Sequence, residues 1–122
     1  MIGLNIMVVD DSQLAIRKME AMLVAMGHKV VQTASNGSVA IDNYRKAVPD
    51  LVTMDITMPE MSGIEATGKI IAEFPDAKII MVTSHGQEDM VRQAIKAGAR
   101  GYVMKPVQAE ELAVHIERVI NL

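Results

Sequence analysis

A chain of 122 residues, half of them apolar, fits one domain with a substantial core and is too apolar for a disordered polymer. It has no cysteine, which excludes disulfides, thiolate metal sites and thiol nucleophiles and leaves carboxylates, hydroxyls, lysines and three histidines as its chemical groups. A formal charge of -3, with only Tyr44, Phe74 and Tyr102 aromatic, supplies neither a basic stripe nor a stacking platform and argues against direct nucleic-acid binding.

Ile6-Met7-Val8-Val9 is a short apolar run ending in Asp10-Asp11-Ser12, after which apolar residues take helical spacing at Leu14, Ala15, Met19, Met22, Leu23 and Met26. The pattern predicts strand, acidic turn, helix. Gly27 fits just past the helix end, where glycine takes the left-handed cap without penalty. Lys29–Thr33 reads as a second strand. Ser35-Asn36-Gly37 supplies turn chemistry, and Ser38 is expected to cap a helix carrying Val39, Ala40, Ile41 and Tyr44 until Pro49 forbids continuation. Leu51-Val52-Thr53-Met54-Asp55 is the third strand, and its lack of polar alternation predicts burial between layers. Beyond Pro59, Ser62-Gly63-Ile64-Glu65 has capping-box spacing. It opens a third helix with Ile64, Thr67, Ile70 and Ile71 inward and a stop near Phe74-Pro75-Asp76. Ile79–Thr83 is a fourth strand with Ser84-His85-Gly86 as its loop, and a fourth helix carries Val91, Ala94 and Ile95 to Gly98. A fifth strand over Gly101–Met104 ends at Lys105-Pro106. The last helix turns Leu112, Ile116, Val119 and Ile120 inward.

Strands alternating with helices through short connections call for parallel pairing and right-handed crossovers. The fold class expected is a doubly wound α/β sheet of five parallel strands in the flavodoxin-like order 2-1-3-4-5, with helices on both faces. No repeat, linker or low-complexity segment interrupts residues 1–122, so a single domain is expected, as a monomer. No apolar run approaches the roughly 18 residues of a membrane span, and no basic region precedes the first apolar stretch, so a cytoplasmic protein without membrane insertion is expected. The eleven methionines occupy mostly apolar positions and read as core filling.

In that strand order the switch point falls between strands one and three and gathers Asp10, Asp11 and Asp55 around one crevice. Each residue also has an ordinary explanation. Asp55 suits a turn ahead of Pro59, Asp10-Asp11 suit a helix start, and Thr83, Lys105 and Tyr102 suit a strand, a solvated loop and a half-buried strand face. Their arrival at one sheet edge shifts the weight toward chemistry. Two carboxylates about 4 Å apart repel by about 4 kcal/mol at an effective dielectric near 20, so a cation belongs there. Oxygen ligands with room for water suit Mg²⁺. With Thr83 closing strand four, Lys105 closing strand five and Asp55 able to act as a nucleophile, the set is one for phosphoryl transfer. A cis Lys105-Pro106 bond would aim Lys105 into the crevice. His28 and His115 are expected to be exposed or at helix ends and His85 to lie in a loop near the site, none with a metal-ligand partner.

Asp10-Asp11 after strand one, Asp55 followed by Met58-Pro59 and Gly63, Thr83, the Gly98 to Tyr102 stretch and Lys105-Pro106 match one family in order and spacing over essentially the whole chain. The sequence resembles the receiver domains of two-component response regulators, especially the stand-alone, chemotaxis-type members, so no output domain is expected. The resemblance implies that Asp55 accepts phosphate from a phosphohistidine on a sensor histidine kinase. It also implies that Asp11, Asp55 and the backbone carbonyl of Thr57 ligate Mg²⁺, with Asp10 helping through water. Thr83 would then move to the phosphoryl oxygen and Tyr102 turn inward, changing the face of helix four, strand five and helix five. That face would bind a downstream protein, a flagellar motor switch or a relay protein. Such a regulator promotes its own phosphorylation and dephosphorylation and is not an enzyme in the turnover sense. Thr57 and His85 would tune attack by water on the adduct. Val107 departs from the Phe that many members carry there, which touches the shape of the output face rather than the chemistry.

Other functions remain in view. A single-domain phosphorelay shuttle shares the same form. A small Asp-nucleophile phosphatase is disfavoured, because the second carboxylate such enzymes usually present two residues on is here Thr57. A nucleotide or flavin binder is disfavoured by the lack of a Gly-rich loop after strand one.

Overall fold

The computed structural model describes residues 3–84 and 86–121. The short apolar runs form strands β1 (Asn5–Val9), β2 (Lys29–Ala34), β3 (Leu51–Asp55), β4 (Ile79–Thr83) and β5 (Gly101–Met104). The segments with helical spacing form α1 (Gln13–Ala25), α2 (Gly37–Ala47), α3 (Gly63–Glu73), α4 (Glu88–Ala97) and α5 (Ala109–Ile120). All strand pairs are parallel and the order is β2-β1-β3-β4-β5, the doubly wound, flavodoxin-like arrangement. No helix among the described residues is long and apolar enough to cross a membrane.

Because successive strand side chains point to opposite faces, each inner strand feeds two cores. Ile6 and Val8 of β1 and Ile80 and Val82 of β4 pack with Ile16, Met19 and Leu23 of α1 and with Leu112, Ile116 and Val119 of α5. Met7, Val9, Met54 and Met81 face the other way, toward Ala40 and Tyr44 of α2, Ala66 and Ile70 of α3 and Ala94 of α4. Every residue of β3 and β4 is buried, as expected of strands covered on both faces.

The chain reverses where its turn residues permit. Gly27 follows α1 at φ +94°, donating its amide to the Val24 carbonyl at 2.9 Å. Ser62 caps α3, its hydroxyl accepting from the Glu65 amide at 3.2 Å, and Glu65 itself lies 3.6 Å from Lys69. The ring of Phe74, just past α3, packs on Tyr44 of α2 with centroids 4.8 Å apart.

Several local expectations are corrected. Asn36, not Ser38, caps α2, its side-chain oxygen accepting from the Val39 amide at 2.9 Å; the helix therefore starts at Gly37, earlier than a cap at Ser38 would place it. Leu14 is 61% exposed, while Ile16 takes the core position. The inward stripe of α1 runs 16, 19, 23, and residue 14 falls off that phase. Ile95 is 52% exposed for the same reason, since α4 turns Ala94 to the sheet. His28 lies at the end of α1, its amide donating to the Leu23 carbonyl at 3.0 Å, but it is buried there, with Nδ1 accepting from the Leu4 amide at 3.1 Å, so it is a neutral clip between the start of β1 and the turn before β2. His115 lies partly buried within α5, its Nδ1 3.1 Å from the Glu111 carbonyl. The expectation for His85 lies outside the described residues.

Candidate functional site

Strand registers bring the site together. Val9 lies beside Met54, Asp55 beside Val82, and Thr83 beside Met104. The inner strands thus finish level, and the residues at or just past their ends share one edge. Asp10 continues β1 by one step, its amide donating to Ala34 of β2 at 3.0 Å. Its Oδ1 accepts from the Ser12 amide at 3.0 Å, which shapes the turn into α1, and Ser12 caps that helix by accepting from the Ala15 amide at 3.2 Å. Asp10 and Asp55 are both 6% exposed, whereas Asp11 faces solvent.

One oxygen from each of Asp10, Asp11 and Asp55 lies within 4.8 Å of the others, a donor set suited to a hard divalent cation. Lys105 reaches the same place from the loop after β5. Its amide donates to the Thr83 carbonyl at 2.8 Å, and its bond to Pro106 is cis. Lys105 Nζ donates to Asp10 Oδ2 at 2.8 Å and stands 3.6 Å from Asp55 Oδ1. Burial, followed by the charge on Asp10, raises the Asp55 carboxyl to about 6, against the opposing pull of Lys105. Burial presses the Lys105 ammonium downward, but the Asp10 hydrogen bond and the charges of Asp55 and Asp10 outweigh it and leave its pKa raised. The site therefore holds a carboxyl group and an ammonium whose protonation states depend on each other.

The loop after β3 is drawn tightly over Asp55. The Gly63 amide donates to the Ile56 carbonyl at 2.7 Å, and a Cβ on Gly63 would collide with the carbonyl oxygen of Asp55. Glycine is required here by close approach, not by an unusual φ. Thr57 lies exposed in this loop and Thr83 is fully buried at the end of β4. Tyr102 is partly buried on β5, packed against the core on the α2–α4 side, with burial raising its phenol pKa. Ser12 and Gly63 are the structural supports the residue pattern undervalues. Their signals were a cap position and a glycine at a helix start.

The response regulator receiver domain model matches residues 6–117. The chain belongs to this family. As a receiver domain it is 39% identical to the chemotaxis protein CheY of Thermotoga maritima over 96% of this chain and 98% of that protein. It is 43% identical to the CheY of Bacillus subtilis over the same shares of the two chains. Its fold superposes on a chain of the crystallised CheX-CheY-BeF3-Mg²⁺ complex from Borrelia burgdorferi with a TM-score of 0.93. The two are 29% identical over 97% of this chain and 90% of that one. Receiver domains of this kind are phosphorylation-dependent signalling switches rather than turnover enzymes, and they bind Mg²⁺ at an acidic pocket of the type formed here by Asp10, Asp11 and Asp55.

Proposed function

We propose that residues 1–122 act as one receiver domain, a cytoplasmic monomer that accepts a phosphoryl group on Asp55 from the phosphohistidine of a sensor histidine kinase. The observation that carries this reading is a buried strand-end carboxylate with two more carboxylates and a lysine ammonium gathered around it. A carboxylate oxygen of Asp55 attacks phosphorus, the phosphorus–nitrogen bond breaks, and its electron pair leaves on the imidazole, which takes up a proton. The product is an acyl phosphate. A carboxyl pKa of about 6 leaves Asp55 mostly ionised, hence nucleophilic, at neutral pH.

Asp11, Asp55 and the Thr57 carbonyl would hold Mg²⁺, with Asp10 assisting through water. Bound there, the metal supplies positive charge against the carboxylates and the phosphoryl oxygens. Lys105 adds a second positive charge on the Asp55 side and orients the carboxylate. The Thr83 hydroxyl then donates to a phosphoryl oxygen and Tyr102 turns inward, so that two discrete packings report the adduct. The altered face of α4, β5 and α5 binds a downstream protein, a flagellar motor switch or a relay partner. The CheY relatives favour chemotaxis over a relay shuttle.

Incubation with Mg²⁺ and acetyl phosphate tests the chemistry. An acid-stable, base-labile adduct should map to Asp55 and be absent from Asp55→Asn and from samples in EDTA. Failure of the wild-type chain to form one would overturn the proposal. A pulldown with and without beryllofluoride then identifies the partner that reads the activated state.

A further inference from the structure

On the α1 and α5 side of the sheet, behind the carboxylate cluster, a cleft of about 410 Å³ lies between α1 and the Lys105-Pro106-Val107 segment. Its apolar surface comes from Met19 and Met22 of α1, Val82 of β4 and Val107, with Leu14 on its solvent side. Leu14, off the inward phase of α1, borders a space that the protein itself does not fill. An apolar cavity of about 150 Å³ already admits benzene, and ligand pockets run from about 300 Å³ upward, so a bicyclic ring fits. The methionines add adaptability, because unbranched thioether chains reshape around an occupant.

The polar groups around the cleft are few. Asp10 and Lys105 line it, but Asp10 is already engaged by the Lys105 ammonium at 2.8 Å and by the Ser12 amide at 3.0 Å. Thr53 contributes a hydroxyl from the sheet. Lys18, an exposed residue lining the same cleft, forms no ion pair with any described residue. The uncommitted charge beside this apolar space is therefore positive, and it lies on the rim rather than at the bottom.

We infer that this cleft is a ligand site for a small amphipathic monocarboxylate, its aromatic or branched aliphatic body between α1 and Val107 and its carboxylate on Lys18. The site stands independently of phosphoryl chemistry at Asp55. It shares the Asp10–Lys105 pair with the cluster as a common wall, so occupancy is also visible at those two residues.

Titration of the ¹⁵N-labelled full chain with indole-3-propionate, and separately with its amide, tests the assignment. Both probes should give saturable amide shifts confined to α1, the strand residues that line the cleft (Val8, Val9, Thr53 and Val82), Asp10, Lys105 and Val107. Lys18→Gln, a surface change, should weaken the carboxylate probe about threefold, as for an exposed charge pair, and leave the amide unchanged. Val107→Phe, which fills the cleft from its rim, should abolish both, with Met22→Phe as a second block if the first variant does not fold. Absence of saturable shifts, undiminished binding in a folded blocked variant, or equal effects of Lys18→Gln on acid and amide would each overturn the inference. Probe failure combined with loss of protein-partner binding in Val107→Phe would assign the cleft to protein docking and overturn it as well.

Discussion

Replacing Asp55 by Asn should stabilise the metal-free protein at neutral pH, and the gain should disappear in acid. Burial and then the charge on Asp10 raise the Asp55 carboxyl from 3.8 to about 6. In the unfolded chain both influences are lost and the ordinary value returns. Between about pH 4 and 6 the unfolded state has therefore released this proton while the folded state still holds it. A folded state that binds more protons loses stability as pH rises, so the native carboxylate becomes a liability across that window. At about 1.4 kcal/mol per pH unit, the loss approaches about 3 kcal/mol once Asp55 is ionised in both states. Residual structure in the unfolded chain would reduce it somewhat. The Asn variant has no proton to release, so its advantage should grow from near zero at about pH 4 to about 3 kcal/mol at pH 7. Urea unfolding of both proteins in EDTA across this range measures the difference. His28 acts in the opposite direction, because burial lowers its imidazole pKa and its contribution is lost as pH falls below the unfolded value of 6.5. It is common to both proteins and cancels. A difference that stays flat with pH, or that widens toward acid, would refute the claim that burial dominates at Asp55. Saturating Mg²⁺ should reverse the ranking by stabilising the wild type alone.

Gly63→Ala should cost about 3 kcal/mol, since its Cβ meets backbone at Asp55 rather than a yielding side chain, and it should slow adduct formation; chemical denaturation and phosphorylation rates check both. Val48, at the end of α2, has φ 39° and is solvent-exposed, so Val48→Gly should raise stability by about 1 kcal/mol by relieving a left-handed β-branched residue. Loss of stability in that variant would mean that added unfolded-state freedom outweighs the strain. Asp11→Ala should stabilise the metal-free fold by about 0.5 kcal/mol and weaken Mg²⁺ binding, because an exposed like charge is removed. Asp10→Ala should not stabilise it, because Lys105 loses its 2.8 Å acceptor; melting both variants in EDTA separates the two acids.

The fold was legible because its strongest signals are local. Apolar runs as short as Leu51–Met54 and Ile79–Val82 allow only buried strands, and Gly27 and Ser62 stop and start helices through their own backbone chemistry. The convergence of Asp10, Asp55, Thr83 and Lys105 was legible for a related reason: parallel strands that end level put their next residues side by side. Helix phase was less legible. Leu14 and Ile16 are both apolar and two positions apart, and only the packing of α1 against the sheet decides which is buried. The burial of His28 hangs on a hydrogen bond from Leu4, twenty-four residues away in the chain, which no local pattern encodes. Nor does the pair Asp10-Asp11 reveal its division of labour. Asp10 continues the sheet through its bond to Ala34 and points its carboxylate at Lys105, while Asp11 is left in solvent.

That asymmetry gives the cluster its leverage. Three carboxylates against one ammonium leave excess negative charge in a place where two of the acids are nearly dry, and at low effective dielectric such repulsion is large. The covalent scaffold and the two apolar cores hold the acids together despite it, so the unliganded fold carries an electrostatic cost that any properly placed cation removes. A ligand's differential affinity is what shifts a conformational equilibrium, and relief of this repulsion is available only in the folded, assembled site. Lys105 relieves part of it already, more closely for Asp10 than for Asp55. Of the two buried acids, Asp55 is consequently the one farther from the ammonium, and burial and the charge on Asp10 resist its ionisation. A carboxylate in that position gains most from cationic company and is most exposed, energetically, to whatever is attached to it.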